Sequence, residues 1–359
     1  MKPKVMIKTM LVIFLTVIFV VLILQVVDII RTTYFNNNAS QEVEGHSNQI
    51  KIGFSLGTLK EERWIKDRDI VMAKVKELGA NIVVLNANND DQDQLKQVKS
   101  LLTQNIDVLI IVPNDLNKAA DAVELAKKQG VKVISYDRLV RNSGVDLYIS
   151  FDNTKVGELM AQAVVDNLPE GNLLIINGAT SDNNTIQIKE GYDKVLKERV
   201  KEGQFNIIAE EWAPKWMKEY AFRVTDELLQ NQVKIDAIIA GNDGLADGII
   251  EALSQHRLAG QTIVVGQDAD LAGCQRVVEG TQLMTVYKPI DKLADATARM
   301  AIQLAKGEEL SNIKSFINDG KYDVPYYVLE PIAVDKANMD DTIIKDGFHM
   351  YDEVYRNIP

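Results

Sequence analysis

The sequence contains a single cysteine, Cys274, so no disulfide can staple the chain and its stability rests on packing. The same scarcity excludes a cysteine-based zinc cluster. Only three histidines occur, His46, His256 and His349, none at metal-ligand spacing from another. They read as surface or packing residues, and no metal or cofactor is expected. An excess of basic residues is missing too. The net charge is −11, whereas a nucleic-acid partner needs a basic face. There is no Gly-x-Ser-x-Gly elbow, no phosphate loop and no His-Glu-x-x-His. Asp243 to Glu251 looks superficially like a calcium loop, but its spacing fails the EF-hand pattern. What remains is a globular composition, 46% hydrophobic and 25% charged, with enough of its 359 residues for two lobes.

The first thirty residues differ from the rest. Lys2, Lys4 and Lys8 precede a run from Met10 to Ile30 that is almost wholly apolar, interrupted by Thr16, Gln25 and Asp28. About 20 predominantly apolar residues span a bilayer. No small-residue cleavage site follows; the chain continues Arg31-Thr32-Thr33-Tyr34-Phe35. Residues 1–9 are therefore expected in the cytoplasm and 10–30 as an uncleaved transmembrane signal anchor, with a cleaved signal peptide as the alternative. The lysines before the span place the large domain outside the cell. Polar residues 31–49 read as a linker. Leu271-Ala272-Gly273-Cys274 has the form of a lipoprotein acylation box, but it lies deep in the chain, so Cys274 reads as a small packing residue.

From Ile50 onwards, short β-branched runs alternate with segments of helical apolar spacing. The runs are Ile50–Leu56, Asn81–Leu85, Val108–Val112 and Val131–Ser135, then Asn172–Ile176, Asn206–Ala209, Ala237–Ala240, Ile263–Val265 and Leu283–Val286. A helix is expected from about Pro289, and Tyr326–Leu329 has strand character in the tail. The alternation predicts an α/β protein with two doubly wound parallel-sheet lobes. In such sheets ligands sit beyond the carboxyl ends of the strands. This rule selects Arg63–Trp64, Tyr136-Asp137-Arg138, Asp182-Asn183-Asn184, Trp212 to Trp216, Asn242-Asp243, Gln267-Asp268 and Tyr287-Lys288-Pro289.

Tryptophan, carboxylate, amide and cationic side chains recur in that set, and the mixture suits a sugar. Indole rings can cover the flat C–H faces of a pyranose. Each hydroxyl both donates and accepts, so carboxylates and cationic or amide nitrogens can grip it from either side. Buried charges must then be paired, as a neighbouring Asp137 and Arg138 would allow. Duller readings stand beside these. Trp64 and Trp216 fit a core, Asn242 and Asp243 fit a helix cap, and Asn88 to Asp93 fits a polar turn with a cap.

Longer segments carry a family likeness: Glu62-Arg63-Trp64-x-Lys66-Asp67-Arg68-Asp69, Tyr136-Asp137-Arg138, Tyr148 to Asn153, Asp182-Asn183-Asn184, Gly266 to Gly273, Met284 to Ile290 and Ile343 to His349. Over about Ile50 to His349 the chain resembles the D-xylose-binding proteins of bacterial ABC importers, within the periplasmic-binding-protein type I superfamily. The resemblance implies sugar contacts at Arg63, Trp64, Asp137, Arg138, Asp182, Asn184, Trp216, Asn242, Asp268 and Lys288. It also implies a three-stranded hinge, with Phe151, Asp152 and Asn153 in one crossing, Tyr287 and Pro289 in the second, and the third around Tyr322–Pro325. The lobes are then 50–152 plus 288–323, and 153–287 plus 324–350. It implies a binding protein and not an enzyme. Family members are typically cleaved and soluble or lipid-anchored. A spanning segment instead favours a protein that reports D-xylose to a membrane sensor, such as the histidine kinase of a two-component system. The alternative is the substrate-binding subunit of a xylose ABC importer that serves a permease. A repressor of the same fold is excluded by the apolar span, and a sugar-modifying enzyme is the remaining competitor.

Overall fold

The computed structural model describes residues 23, 25–27 and 49–358. Among the described residues no helix is long and apolar enough to cross a membrane. Apart from 23, 25–27 and 49, the expected span and linker lie outside the described residues.

Two parallel sheets build the molecule. The first contains β1 (Lys51–Leu56), β2 (Asn81–Asn86), β3 (Val108–Val112), β4 (Lys132–Tyr136) and β5 (Leu147–Phe151), with β11 (Ser315–Asn318) and β12 (Asp323–Leu329) returning late. Its order is β11-β12-β5-β4-β3-β1-β2, all parallel except β11. The second holds β6 (Gly171–Asn177), β7 (Phe205–Trp212), β8 (Ala237–Ala240), β9 (Ile263–Gln267), β10 (Met284–Tyr287) and β13 (Ile332–Val334). Its order is β13-β10-β9-β8-β6-β7, parallel except β13.

Both faces of each sheet are covered, which is why the strands read as continuous apolar runs. Every residue of β3 is buried. Val108, Ile110 and Val112 join one core with Val71 and Val75 of α1 (Glu62–Glu77) and Leu293 and Ala298 of α9 (Ile290–Ala305). Leu109 and Ile111 join the opposite core with Leu101 of α2 (Asp91–Leu102) and Val123 of α3 (Ala120–Lys128). The second sheet repeats the layout. Ile238 and Ala240 face α6 (Lys218–Gln230) and α7 (Asp243–Gln255), while Ala237 and Ile239 face α4 (Asn153–Asn167) and α5 (Asn183–Lys201). A further core joins α8 (Leu271–Glu279), the tail and α10 (Tyr351–Val354); the buried Cys274 packs there.

The chain passes between lobes three times. It leaves Phe151 at the end of β5, and Asp152 caps α4 by accepting from Lys155 N at 2.9 Å, with Asn153 buried at the helix start. It leaves Tyr287 at the end of β10, and Pro289 caps α9. The third passage differs from the expectation. Val324 to Leu329 belong to the first sheet, where Tyr326 pairs with Tyr148 and Leu329 with Phe151. The crossing therefore falls at 330–331 and not around Tyr322–Pro325. Pro325 precedes the first pair with β5, so its missing N–H removes no bond from that ladder. The second lobe also runs past 350, because Val354 and Ile358 pack into its last core.

Candidate ligand-binding site

The carboxyl ends of both sheets meet at one small cavity with an empty volume of about 310 Å³. The first lobe supplies Glu61, Arg63 and Trp64 after β1, then Asp137 and Arg138 after β4. The second supplies Asp182 and Asn184 after β6, Trp216 after β7, Asn242 after β8, and Gln267 and Asp268 at the end of β9. Lys288 enters from a crossing strand. The ten residues implied by the resemblance all line this space. Glu61 and Gln267 line it as well. Gln267 belongs to the strand-end set, whereas Glu61 does not; its place at the N-cap of α1, past the end of β1, is the signal that marks it. Trp212 does not line the cavity, and neither do Asn183 or Asp243, although the strand-end rule selected them.

Most of the charge in the cavity is paired. Arg63 reaches Asp137 at 2.7 Å, Asp67 at 3.2 Å and Asp268 at 3.3 Å. Lys288 meets Asp268 at 2.8 Å, and Arg138 meets Asp182 at 2.7 Å. Asn184 Nδ2 donates to Asp137 Oδ1 at 2.9 Å. Burial would raise the Asp268 carboxyl, but Lys288 and Arg63 outweigh it and hold the group below its usual range. For Asp67, burial wins over Arg63 and pushes the carboxyl up to about 6. Burial likewise raises Asp182 against the pull of Arg138. Arg63, Arg138 and Lys288 spend their charge on Asp137, Asp182 and Asp268, an arrangement that suits a neutral ligand, and Glu61 is a further carboxylate of the lining outside these pairs.

The cap readings and the cavity readings hold together. Asn242 Oδ1 accepts from Leu245 N at 2.8 Å, and Asp182 Oδ1 from Asn184 N at 2.9 Å, while both side chains line the cavity. Trp64 is 2% exposed and stacks under Arg63 and Arg138, whose guanidinium carbons lie 4.4 and 4.9 Å from its ring. Three lining residues have left-handed backbones: Asp137 at φ 60°, Trp216 at 55° and Asp268 at 94°. Such conformations cost about 1–3 kcal/mol each and gather where a side chain must be aimed.

Polar atoms without partners also gather here. Among the described residues, eight buried side-chain atoms lack a hydrogen bond, and five belong to this lining: Glu61 Oε2, Trp64 Nε1, Arg138 Nε, Trp216 Nε1 and Gln267 Oε1. Arg138 Nε forms its ion pair without an aligned N–H. A buried group left unsatisfied costs about 1–3 kcal/mol, so this concentration of donors and acceptors marks a place made for a hydroxylated solute.

Residues 52–309 match the family model described as a periplasmic binding protein domain. The chain is 44% identical over 311 residues to the D-xylose-binding periplasmic protein of Haemophilus influenzae, covering 86% of this chain and 93% of that one. It is 43% identical to the D-xylose-binding periplasmic protein of Escherichia coli, covering 87% and 94%. Among solved structures, it is similar to a carbohydrate transporter solute binding protein from Chloroflexus aurantiacus in complex with D-glucose. The TM-score is 0.80 at 30% identity, covering 85% of this chain and 98% of that one.

Proposed function

The chain belongs to the periplasmic binding protein family, and on that premise we propose that it captures D-xylose outside the cytoplasm and delivers it to an ABC permease for uptake. The observation that carries this reading is the cluster of unpaired buried donors and acceptors, set between two indoles and balanced ion pairs. Hydroxyls satisfy both donors and acceptors, and a neutral ring needs no net charge. The names of the relatives at 43–44% identity support xylose as the sugar. The likeness to a carbohydrate transporter solute binding protein supports uptake over the signalling role drawn from the apolar N-terminus.

Calorimetry on the full chain in mild detergent tests the ligand. Titration with D-xylose is expected to give saturable binding tighter than with ribose, arabinose or glucose, with the sugar recovered unchanged. No heat with millimolar xylose and a folded protein would refute the reading; a chemically altered sugar would replace it with an enzyme. Gene deletion separates the roles when the transporter is expressed constitutively. Lost xylose uptake with intact induction is expected, and the reverse would restore the sensor. We read residues 10–30 as the tether that keeps the domain at the membrane, tested by mass spectrometry of the extracted protein. An N-terminus beginning near residues 31–46 would overturn that part alone.

A further inference from the structure

Asp268 is aimed into the cavity by a turn that its sequence alone would not hold. Asp268 and Ala269 are both left-handed, at φ 94° and 53°. Neither residue is glycine, so the conformation needs outside support. Each backbone amide of the turn finds a partner: Asp268 N donates to Val286 O at 2.8 Å, Ala269 N to Thr285 Oγ1 at 3.1 Å, and Asp270 N to Asp243 Oδ2 at 3.1 Å. Thr285 Oγ1 in turn donates to Asp243 Oδ2 at 2.8 Å. The other Asp243 oxygen accepts from Gln282 Nε2 at 2.7 Å. Asp243 and Thr285 are 1% and 0% exposed, and neither lines the cavity. Space around the carboxylate is kept by two glycines. A Cβ on Gly266 would stand 2.4 Å from Asp243 Oδ1, and one on Gly273 2.3 Å from Oδ2.

We propose that Asp243 and Thr285 are positioning residues that lock the turn at Asp268 and Ala269, and through it set how tightly the cleft holds its sugar without touching it. This rests on the sugar-binding reading above. Asp268 is the element's delivery: it receives both Lys288 and Arg63, so a displaced turn releases two cations from their partner. The carboxylate of Asp243 serves as the acceptor that orders the Thr285 hydroxyl, leaving the hydroxyl oxygen free to accept from Ala269 N.

The test uses the full chain, xylose calorimetry and thermal unfolding without sugar. Thr285→Val keeps the volume and removes the hydroxyl; it is expected to weaken xylose binding about tenfold, the effect of one orphaned buried amide. Thr285→Ser restores the hydroxyl and is expected to return affinity to within about threefold of the parent, which a packing role would not do. In an Asp268→Asn background the Thr285→Val loss is expected to shrink below about twofold, because the two residues act on one interaction. Asp243→Asn, which fits the same space, carries the affinity test independently of whether Thr285→Val folds. A folded Thr285→Val or Asp243→Asn protein that binds like the parent overturns the inference. So does failure of the serine variant to rescue, or a full loss persisting beside Asp268→Asn. A parent that binds no sugar overturns the functional reading first, and this one with it.

Discussion

Trp216 depends on a residue that carries no side chain. A Cβ added to Gly178 would stand 2.1 Å from Trp216 Cη2 and 2.3 Å from Cζ2, so the indole lies directly against the end of β6. Lys215 and Trp216 both take left-handed backbones to bring the ring there. Gly178→Ala is therefore expected to drive the indole off its bed and weaken sugar binding at least tenfold, as read by calorimetry. Trp216 also belongs to the core beneath α6 and α7, so the unfolding midpoint is expected to fall as well. Trp216→Ala and Trp64→Ala remove the rings themselves, each expected to cost about 2 kcal/mol or more of binding, roughly thirtyfold. If both alanine variants bind xylose like the parent, the cavity is not the binding site. If Gly178→Ala alone does so, the indole can move without loss.

At the scale of elements, the hairpin joining β11 to β12 is held by one carboxylate. Asp319 is fully buried; Oδ1 accepts from Lys321 N and Tyr322 N, and Oδ2 from Ser143 N and Gly144 N, at 2.7–2.9 Å. Burial would raise its pKa, but the four backbone donors outweigh burial and hold it below its ordinary 3.8. A carboxyl depressed in the folded state contributes stability above its unfolded pKa and loses it as pH falls through the folded value. Asp319→Asn presents an NH₂ group to two of those amides and is expected to cost about 2 kcal/mol at neutral pH. Thermal unfolding from pH 7 to pH 3 should show the gap between parent and variant narrowing as the parent protonates. A gap that stays constant would assign the cost to shape and not to charge.

Across the whole molecule, the lobes are closed on each other by more than the cavity. Arg63–Asp268 and Arg138–Asp182 cross the cleft as ion pairs, and Asn184 donates across it to Asp137. Beside it, Lys66 Nζ donates to Phe348 O at 3.2 Å, lies 3.2 Å from His349 Nδ1 and sits 4.1 Å above the Phe348 ring. Glu62 Oε2 accepts from Leu271 N at 3.1 Å. These contacts tie α1 of the first lobe to the tail and α8 of the second. Lys66→Met keeps the stem and removes the charge. It is expected to speed xylose release several-fold while leaving association nearly unchanged, because the contacts to Phe348 and His349 join the lobes, whereas the ion pair to Glu62 lies within α1 and is exposed enough to be worth little. Stopped-flow tryptophan fluorescence reads both rates. An equal change in association would place the contact in the open form as well.

Alternation of β-branched runs with helical spacing was enough to specify two parallel sheets, since a strand buried on both faces must be apolar throughout, as in Val108–Val112. The strand-end rule also brought Asp182, Asn242 and Asp268 into view, because ligand-facing residues of such sheets follow strands directly in sequence. Other features depend on partners distant in the chain. Tyr326–Leu329 joins the first sheet by pairing with β5, some 175 residues earlier, and no local pattern carries that choice. Glu61 acquires its place only when α1 is docked at the cleft. Asp243, marked from the sequence as a strand-end residue, is turned away from the cavity by Thr285 and Gln282 of the neighbouring β10 segment. Local composition decides which segments become strands and helices; which charges meet, and which of them face a ligand, is decided when two sheets far apart in sequence close over one cavity.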